Sequence, residues 1–470
     1  MENKVKRTNV FVEMGFPEGR VIGMLNVLFE GNQLSEIEKE NLCKLLENPG
    51  DFLNDIKLGE VASLLIKVQE SSEVISLKEK SESFAIYGKN GIEEGAINQM
   101  NIAMRLPITV SGALMPDAHQ GYGLPIGGVL ATRNAIIPYG VGVDIGCRMA
   151  LSVYDIPEDF YLDNKAKFKR ELIAMTKFGA GNAWKGRDLA NHAVLDNSLF
   201  DDIPLLKGLK DKAHGQLGTS GGGNHFVEFG IIEFKDDVAE YQMKKGRYLS
   251  LLTHSGSRGF GATIAGHYTR LAKDLCKLPQ EAQNLAYLDL NSQEGLEYWL
   301  AMNLAGDYAS ACHEIIHQRM SKAIGAEVLN KVENHHNFAW KEMVNGEELI
   351  VHRKGATPAS KGILGIIPGS MTAPGFLVRG KGEVNSIQSA SHGAGRLMSR
   401  TQATKTISKN EMKQILKEHQ VDLIGAGLDE APMAYKNIHE VMKAQTDLVD
   451  VLATFYPRLV RMADDGSRED

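Results

Sequence analysis

Cysteine is scarce in this chain, with only Cys43, Cys147, Cys276 and Cys312 in 470 residues. Four scattered thiols cannot make a disulfide framework, so a reducing compartment is expected. Long apolar runs are also missing: none approaches the ~20 residues that a bilayer-spanning helix needs. The opening MENKVKRTNV lacks the apolar core of a secretory signal. Both absences lead to the expectation of a soluble, cytoplasmic protein with no membrane partner. Nor is there a basic excess, since 52 Lys and Arg stand against 59 Asp and Glu for a net charge of −7. That balance excludes a general nucleic-acid coat, which would be basic overall. Neither the Walker GxxxxGK[ST] nor the Rossmann GxGxxG pattern occurs, so any nucleotide site is of another kind. No internal repeat is evident.

What the chain does have is an ordinary folded composition, 43% hydrophobic and 24% charged, and an excess of glycine, 48 residues. One residue in ten is glycine, against a usual ~7%. Residues 1–78 are poor in it and read as a helical N-terminal segment. There Ser35 and Glu38 form a capping box ahead of Leu42, Leu45 and Leu46 on one helical face. From about residue 80, short apolar runs alternate with glycine-rich loops. Strands are expected at 141–146, 224–232, 247–256, 348–355 and 362–370. Helical patterns fall near 92–104, 262–275, 294–322, 409–419 and 432–453. The alternation is not a regular β-α-β series, so the fold class is α+β with a large mixed β core surrounded by helices. The expected divisions are a helical segment (1–78), a catalytic domain (79–462) and a polar tail (463–470).

The glycine loops carry the chemistry-bearing residues. MPDAHQGYGLPIGG, YGVGVDIGCRM, GTSGGGNHFVE, THSGSRGFG, NHHNFAW, VHRKGAT, PGSM and SASHGAGR each set glycine, proline or asparagine beside His, Asp, Cys, Arg or Ser. Glycine there permits tight turns and close approach of backbone N–H groups to phosphate oxygens. Asp144 and Cys147 form a D-x-x-C pair able to aim carboxylate and thiolate at one metal, with His225, His254 and His336 completing the shell. Each of these residues alone has an ordinary structural reading, but five in such loops favour a metal centre. Cys and His suit zinc, whereas carboxylate and phosphate oxygens suit manganese or magnesium. His392, flanked by glycine in HGAGR, is a candidate nucleophile that can take a nucleotidyl group on neutral imidazole. Its plainer reading is a loop histidine that only hydrogen-bonds a ligand.

Charge is unevenly spread. Between residues 351 and 405, Arg353, Lys354, Lys361, Arg379, Lys381, Arg396, Arg400 and Lys405 face a single acid, Glu383. The window is therefore +7 and the rest of the chain −14, which reads as a phosphate-binding surface. His313, Glu314 and His317 spell H-E-x-x-H, the zinc-protease pattern. The third ligand of its extension is missing and the run lies in a long helix crowded with core-like residues, so these are read as ordinary helix residues.

In order along residues 80–440, DIGCRM, GGGNHFVE, HSGSRG, HHNFA, HRKGAT, PGSM, SASHGAGR and EAPMAYK closely resemble the RtcB family of RNA-splicing ligases. The resemblance implies an RtcB-like fold and an RNA ligase joining 3′-phosphate or 2′,3′-cyclic phosphate ends to 5′-hydroxyl ends, with GTP and two manganese ions, in RNA repair or tRNA splicing. By position it makes Cys147 a bridging thiolate and Asp144, His225, His254 and His336 the other metal ligands. His392 becomes the guanylylated residue. Binding of GTP is implied for Asn224, His225, Phe226, Val227, Glu228, His336, Asn337, Pro368, Gly369, Ser370, Met371, His392, Gly393, Ala394, Gly395 and Tyr435. Arg353, Lys354 and Arg396 are implied phosphate or RNA contacts, Asp117 and His119 sit behind the ligands, and an activating protein is among the partners the resemblance allows.

The chain departs from the family pattern at three places. Arg148 replaces glycine beside the ligands, which changes the phosphate or RNA contacts expected there. Gly375 stands where a serine is common. The C-terminal YPRLVRMADDGSRED lacks the Lys-Gly pair whose lysine contacts guanine in the family, leaving Arg458 and Arg461 nearest. A divergent branch is expected. The competing readings are a metal-dependent phosphodiesterase or nucleotidyltransferase that has lost ligation, and a non-catalytic RNA-end-binding protein.

Overall fold

The structure is a computed structural model, which describes residues 10–464 apart from 18, 30–33 and 71–73. The polar tail expected at 463–470 lies, from residue 465 onward, outside the described residues. The chain forms two compact units, one of residues 1–76 with 273–279, the other of 77–272 with 280–470.

The first unit is helical. Its helices Val10–Glu13, Arg20–Leu28, Glu36–Glu47 and Gly59–Glu70 enclose Phe11, Leu25, Leu42, Leu45 and Val61, all fully buried. Each such side chain contributes about 1.5–3 kcal/mol of burial. Ser35 caps the third helix as its sequence predicts. Its hydroxyl accepts the Glu38 N–H at 3.3 Å, and its own N–H donates to the Glu38 carboxylate at 2.9 Å.

The second unit is built on two sheets. A five-stranded sheet runs in the order Ala85–Ile86, Thr109–His119, Ile126–Thr132, Glu347–Lys354, Asn337–Val344. An eight-stranded sheet runs Leu364–Ile367, Gly375–Gly380, Val449–Met462, Phe226–Phe234, Gly246–Ser255, Arg148–Tyr154, Val328–His335, with Asp422–Ile424 paired to Val449–Met462. Pairing along this order is antiparallel, as an α+β fold without crossover units requires. Strand Phe226–Phe234 shows the two-residue period: Val227, Phe229 and Ile231 enter one apolar layer, Ile232 and Phe234 the other. The first layer is completed by Ile316, Met320 and Ile324 of the 32-residue helix Gln293–Ile324. Ser292 caps that helix at its N-terminus, and Gly325 ends it in the left-handed conformation.

Two expected elements differ. Residues 141–146 are not a strand: the helical turn Pro138–Val141 leads into a loop whose Gly142 and Gly146 have φ of 106° and 69°. The helix expected over 432–453 is confined to Ile438–Lys443, and the chain then enters the 14-residue strand Val449–Met462. There Val449, Ala453, Phe455 and Leu459 are buried between half-exposed neighbours. The alternating period outweighed the helical one.

Candidate active site

The antiparallel order explains how residues far apart in sequence meet. Cys147 immediately precedes strand Arg148–Tyr154, His225 precedes Phe226–Phe234, His254 lies at the end of Gly246–Ser255, and His336 follows Val328–His335. Neighbouring strands run in opposite directions, so two starts and two ends fall at one edge of the sheet. The register fixes this, with Phe226 and Met149 both opposite His254, and Arg148 opposite His335. His336 is the single residue between strands of the two sheets, so it faces the cleft where they join.

The side chains converge closely. Cys147 Sγ lies 3.4 Å from His225 Nε2 and 3.2 Å from His254 Nε2. His225 Nε2 is 3.0 Å from Asp144 Oδ2, and His254 Nε2 is 3.2 Å from His336 Nε2. The five residues thus fall into two groups sharing Cys147: Asp144 with His225, and His254 with His336. All five are buried yet line one cleft of ≈ 620 Å³. Gly256 makes room for the carboxylate, since a Cβ there would fall 2.0 Å from Asp144 Oδ1. Burial holds His254 down to about 3, reinforced by the neighbouring His225, and holds His336 well below its ordinary value. Both are neutral at pH 7, with lone pairs available. Burial pushes the Asp144 carboxyl up, but His225, Arg258 and Cys147 outweigh it and keep the group below its ordinary value, hence ionised.

This donor set fits a metal centre. His254 Nδ1–H donates to the Asn224 carbonyl at 3.1 Å, which leaves Nε2 as the acceptor, as metal-binding histidines require. Arg258 Nη1 lies 3.1 Å from His225 Nδ1, and a guanidinium can only donate. His225 therefore carries its proton on Nε2, toward Asp144 Oδ2.

His392 stands beside the centre, its ring centroid 4.9 Å from that of His336. Its Nδ1–H donates to Asp117 Oδ2 at 2.7 Å, and the same oxygen accepts the backbone N–H groups of His392 at 3.2 Å and Gly393 at 3.4 Å. Nε2 is thereby left as the free lone pair. Asp117 is fully buried. Burial pushes its carboxyl up, but His392, Lys436 and His119 together hold it below its ordinary value. His119, lowered to about 4 by burial, borders the same space.

A second pocket also reaches His392. Asn224, Phe226, Glu228, Pro368, Gly369, Ser370, Met371, His392, Gly393, Ala394, Gly395 and Tyr435 line it, together with Met149, Leu252, Phe455, Val460 and Met462. Gly375, the departure from the family pattern, lies in its wall. Burial pushes the Glu228 carboxyl well above its ordinary value. His225, His336 and Asn337 face the metal cleft instead.

Several of the expected side chains do not reach the pocket or the cleft. The Val227 side chain points away from the pocket into the layer with Phe168 and Phe229, because it alternates with Phe226 and Glu228. Arg353 is fully buried: it grips Glu342 at 2.7 and 2.8 Å and donates to Ser389 Oγ and the Ile387 carbonyl, so its guanidinium is turned into the interior and not toward the cleft. Arg148 is buried against Glu333 and the Gly306 carbonyl, a structural pin and not a phosphate contact. Arg461 donates to the carbonyls of Leu172, Ile173 and Thr176, and Arg458 pairs with Glu158, so neither takes the place of a guanine-binding lysine.

The +7 window is not a +7 surface. Arg379 pairs with Glu240 and Asp450, Lys381 with Asp450, Arg396 with Glu430, and Arg400 with Asp429 and Glu430. Lys354 and Arg396 do line the metal cleft, and burial lowers the Lys354 ammonium to about 7. His313 and His317 are core residues: both bond Thr253 Oγ1, at 2.6 and 2.9 Å, while Glu314 turns to His192. The structure adds residues that the sequence reading did not single out, namely Arg258, Glu430 and Lys436. Arg258 carried a signal, an arginine set in the glycine loop GSRGFG beside a ligand.

A family model described as tRNA-splicing ligase RtcB matches residues 99–463. The RNA-splicing ligase RtcB of Escherichia coli strain K12 is 34% identical over 397 residues, covering 77% of this chain and 93% of that protein. The tRNA-splicing ligase RtcB of Nanoarchaeum equitans is 28% identical over 472, covering 86% and 98%. That of Thermococcus kodakarensis is 29% identical over 429, covering 76% and 88%. With the fold, the buried Cys/His/His cluster and the glycine-loop motifs all falling inside the matched span, the chain belongs to the RtcB family of RNA ligases.

Proposed function

We propose that this ligase joins an RNA 3′-phosphate or 2′,3′-cyclic phosphate end to a 5′-hydroxyl end, consuming GTP through a guanylyl group carried on His392. The observation that carries the reading is the position of His392, which lines both the apolar pocket and the metal cleft. A group bound through Nε2 faces the nucleotide on one side and the RNA ends on the other.

Two manganese ions would be held by Asp144, Cys147, His225, His254 and His336, and there they would supply Lewis-acid polarisation of phosphoryl oxygens and water. The protein's own part follows from the hydrogen bonds. Asp117 holds the Nδ1–H of His392, so Nε2 attacks the α-phosphorus of GTP, a P–N bond forms and pyrophosphate leaves. The positive charge that develops on the imidazole is stabilised by the buried Asp117 carboxylate. The RNA 3′-phosphate oxygen then takes the guanylyl group, restoring His392. The 5′-hydroxyl oxygen attacks the activated 3′-phosphorus, loses its proton, and GMP departs. A cyclic phosphate is first opened by water. In the pocket, Phe226 and the apolar wall suit a purine face, and the Glu228 carboxyl in the lining is assigned to guanine's N1–H and amino edge. Arg396 and Lys354 are assigned to phosphates of the nucleotide or RNA.

The test is joining of an RNA pair with 3′-phosphate and 5′-hydroxyl ends by metal-stripped enzyme resupplied with manganese and GTP. The expected result is a joined product that requires both additions. Cleavage without joining, or binding alone, would replace this reading with the phosphodiesterase or end-binding one. Restoration by zinc and not manganese would reassign the metal.

A further inference from the structure

Tyr122 is a large aromatic side chain left 68% exposed, yet it borders the cleft that holds the metal ligands. Its ring lies 6.1 Å from that of Tyr139 with an interplanar angle of 22°, a stacked pair. The Lys354 ammonium sits 5.0 Å from the Tyr139 ring centroid, and Lys354 Nζ also donates to the Tyr122 carbonyl at 2.6 Å and the Tyr139 carbonyl at 3.2 Å. An aromatic face is thus presented to solvent at the rim of the cleft, backed by a second ring and the Lys354 amine.

The loop under Tyr122 is tied down, unlike an ordinary surface turn. Gln99 clamps the Gly121 backbone from both sides, its amide donating to the carbonyl at 2.6 Å and accepting the N–H at 3.1 Å. Glu93 accepts the Gln120 N–H at 2.5 Å. Gly123, at φ 73°, lets the chain pass where a Cβ would meet the Asn284 carbonyl oxygen at 2.7 Å. A ring held this way is ordered before a ligand arrives and loses little entropy on contact. Tyr122 belongs to none of the apolar clusters described above, and its open face has the geometry that single-stranded nucleic acid uses: a flat aromatic surface beside a basic side chain.

Resting on the proposed ligation reading, we infer that Tyr122, backed by Tyr139, is a stacking platform for a nucleobase of the RNA strand entering the metal cleft. Stacking is tolerant of base identity, so the platform positions the end without dictating sequence.

The experiment compares wild type, Tyr122→Ala and Tyr122→Phe in two readouts, self-guanylylation from labelled GTP, which involves no RNA, and ligation of RNA ends. The ligation substrates carry a single abasic nucleotide at successive positions on either side of the junction. Tyr122→Ala is expected to raise KM for RNA by about 5- to 100-fold, the range of one lost base stack, with guanylylation retained and Tyr122→Phe near wild type. One abasic position should produce the same loss in the wild type and add nothing in Tyr122→Ala, the non-additivity of a direct contact. An unchanged KM in Tyr122→Ala, or additive losses at every abasic position, would overturn the platform. Absence of guanylylation in the wild type would instead overturn the underlying ligation reading.

Discussion

Cys147→Ser is expected to leave the chain unable to hold its metals and to lower ligation by more than the ~10–100-fold that loss of an outer partner of a metal ligand costs. Cys147 Sγ lies within 3.4 Å of both His225 Nε2 and His254 Nε2. It touches both groups of candidate ligands, and a thiolate there would supply negative charge between two neighbouring dications. A serine hydroxyl is shorter and stays protonated at neutral pH, so it offers neither reach nor charge. Folding should survive, because the side chain is small and the substitution nearly conserves volume. Metal analysis after chelation and reloading, with thermal unfolding alongside and Cys43→Ser as the exposed-thiol control, checks this. Full metal content in Cys147→Ser would remove the shared role.

Asp117→Asn is the second large effect. Asp117 Oδ2 accepts three N–H groups, one of them from the His392 ring. An asparagine oxygen can keep those contacts, but its NH₂ then occupies the Oδ1 position, a buried atom with no partner. The variant thus buries an unpaired donor, and the charge that steadies a cationic imidazole is gone. Replacing the carboxylate behind a catalytic histidine lowers turnover by about 10⁴-fold in the serine-protease triad. A fall in the rate of guanylylation of about 10³–10⁴-fold is expected on that analogy. Single-turnover labelling measures it, with metal content unchanged because Asp117 is not among the ligands. A rate within a few-fold of wild type would mean that the carboxylate only holds the loop in place.

Much of this site could be read from the sequence because its residues sit in glycine loops at strand ends, where a ligand needs close backbone approach. Asp144, Cys147, His225 and His254 were marked in this way and His336 by its asparagine-flanked loop, and the antiparallel register brought them together. What escaped was information held by distant partners. Nothing near Arg353 announces Glu342 as a bidentate partner, and the basic window gives no sign that Glu240, Asp429, Glu430 and Asp450 will neutralise it. The direction of the Val227 side chain is hidden in a contiguous motif, because a strand sends alternate residues to opposite faces. The strand Val449–Met462 was missed because its apolar residues also fit a helical period until the partners Phe226–Phe234 and Gly375–Gly380 are known.

The central claim is that His392 carries the guanylyl group. The direct measurement is to incubate the wild type with manganese and GTP labelled at the α-phosphorus, denature it, and locate the label by peptide mass spectrometry. One acid-labile adduct on the peptide containing His392 is predicted, absent from His392→Ala although that variant still binds its metals. No covalent label on the wild type, or a label that persists in His392→Ala, would contradict it.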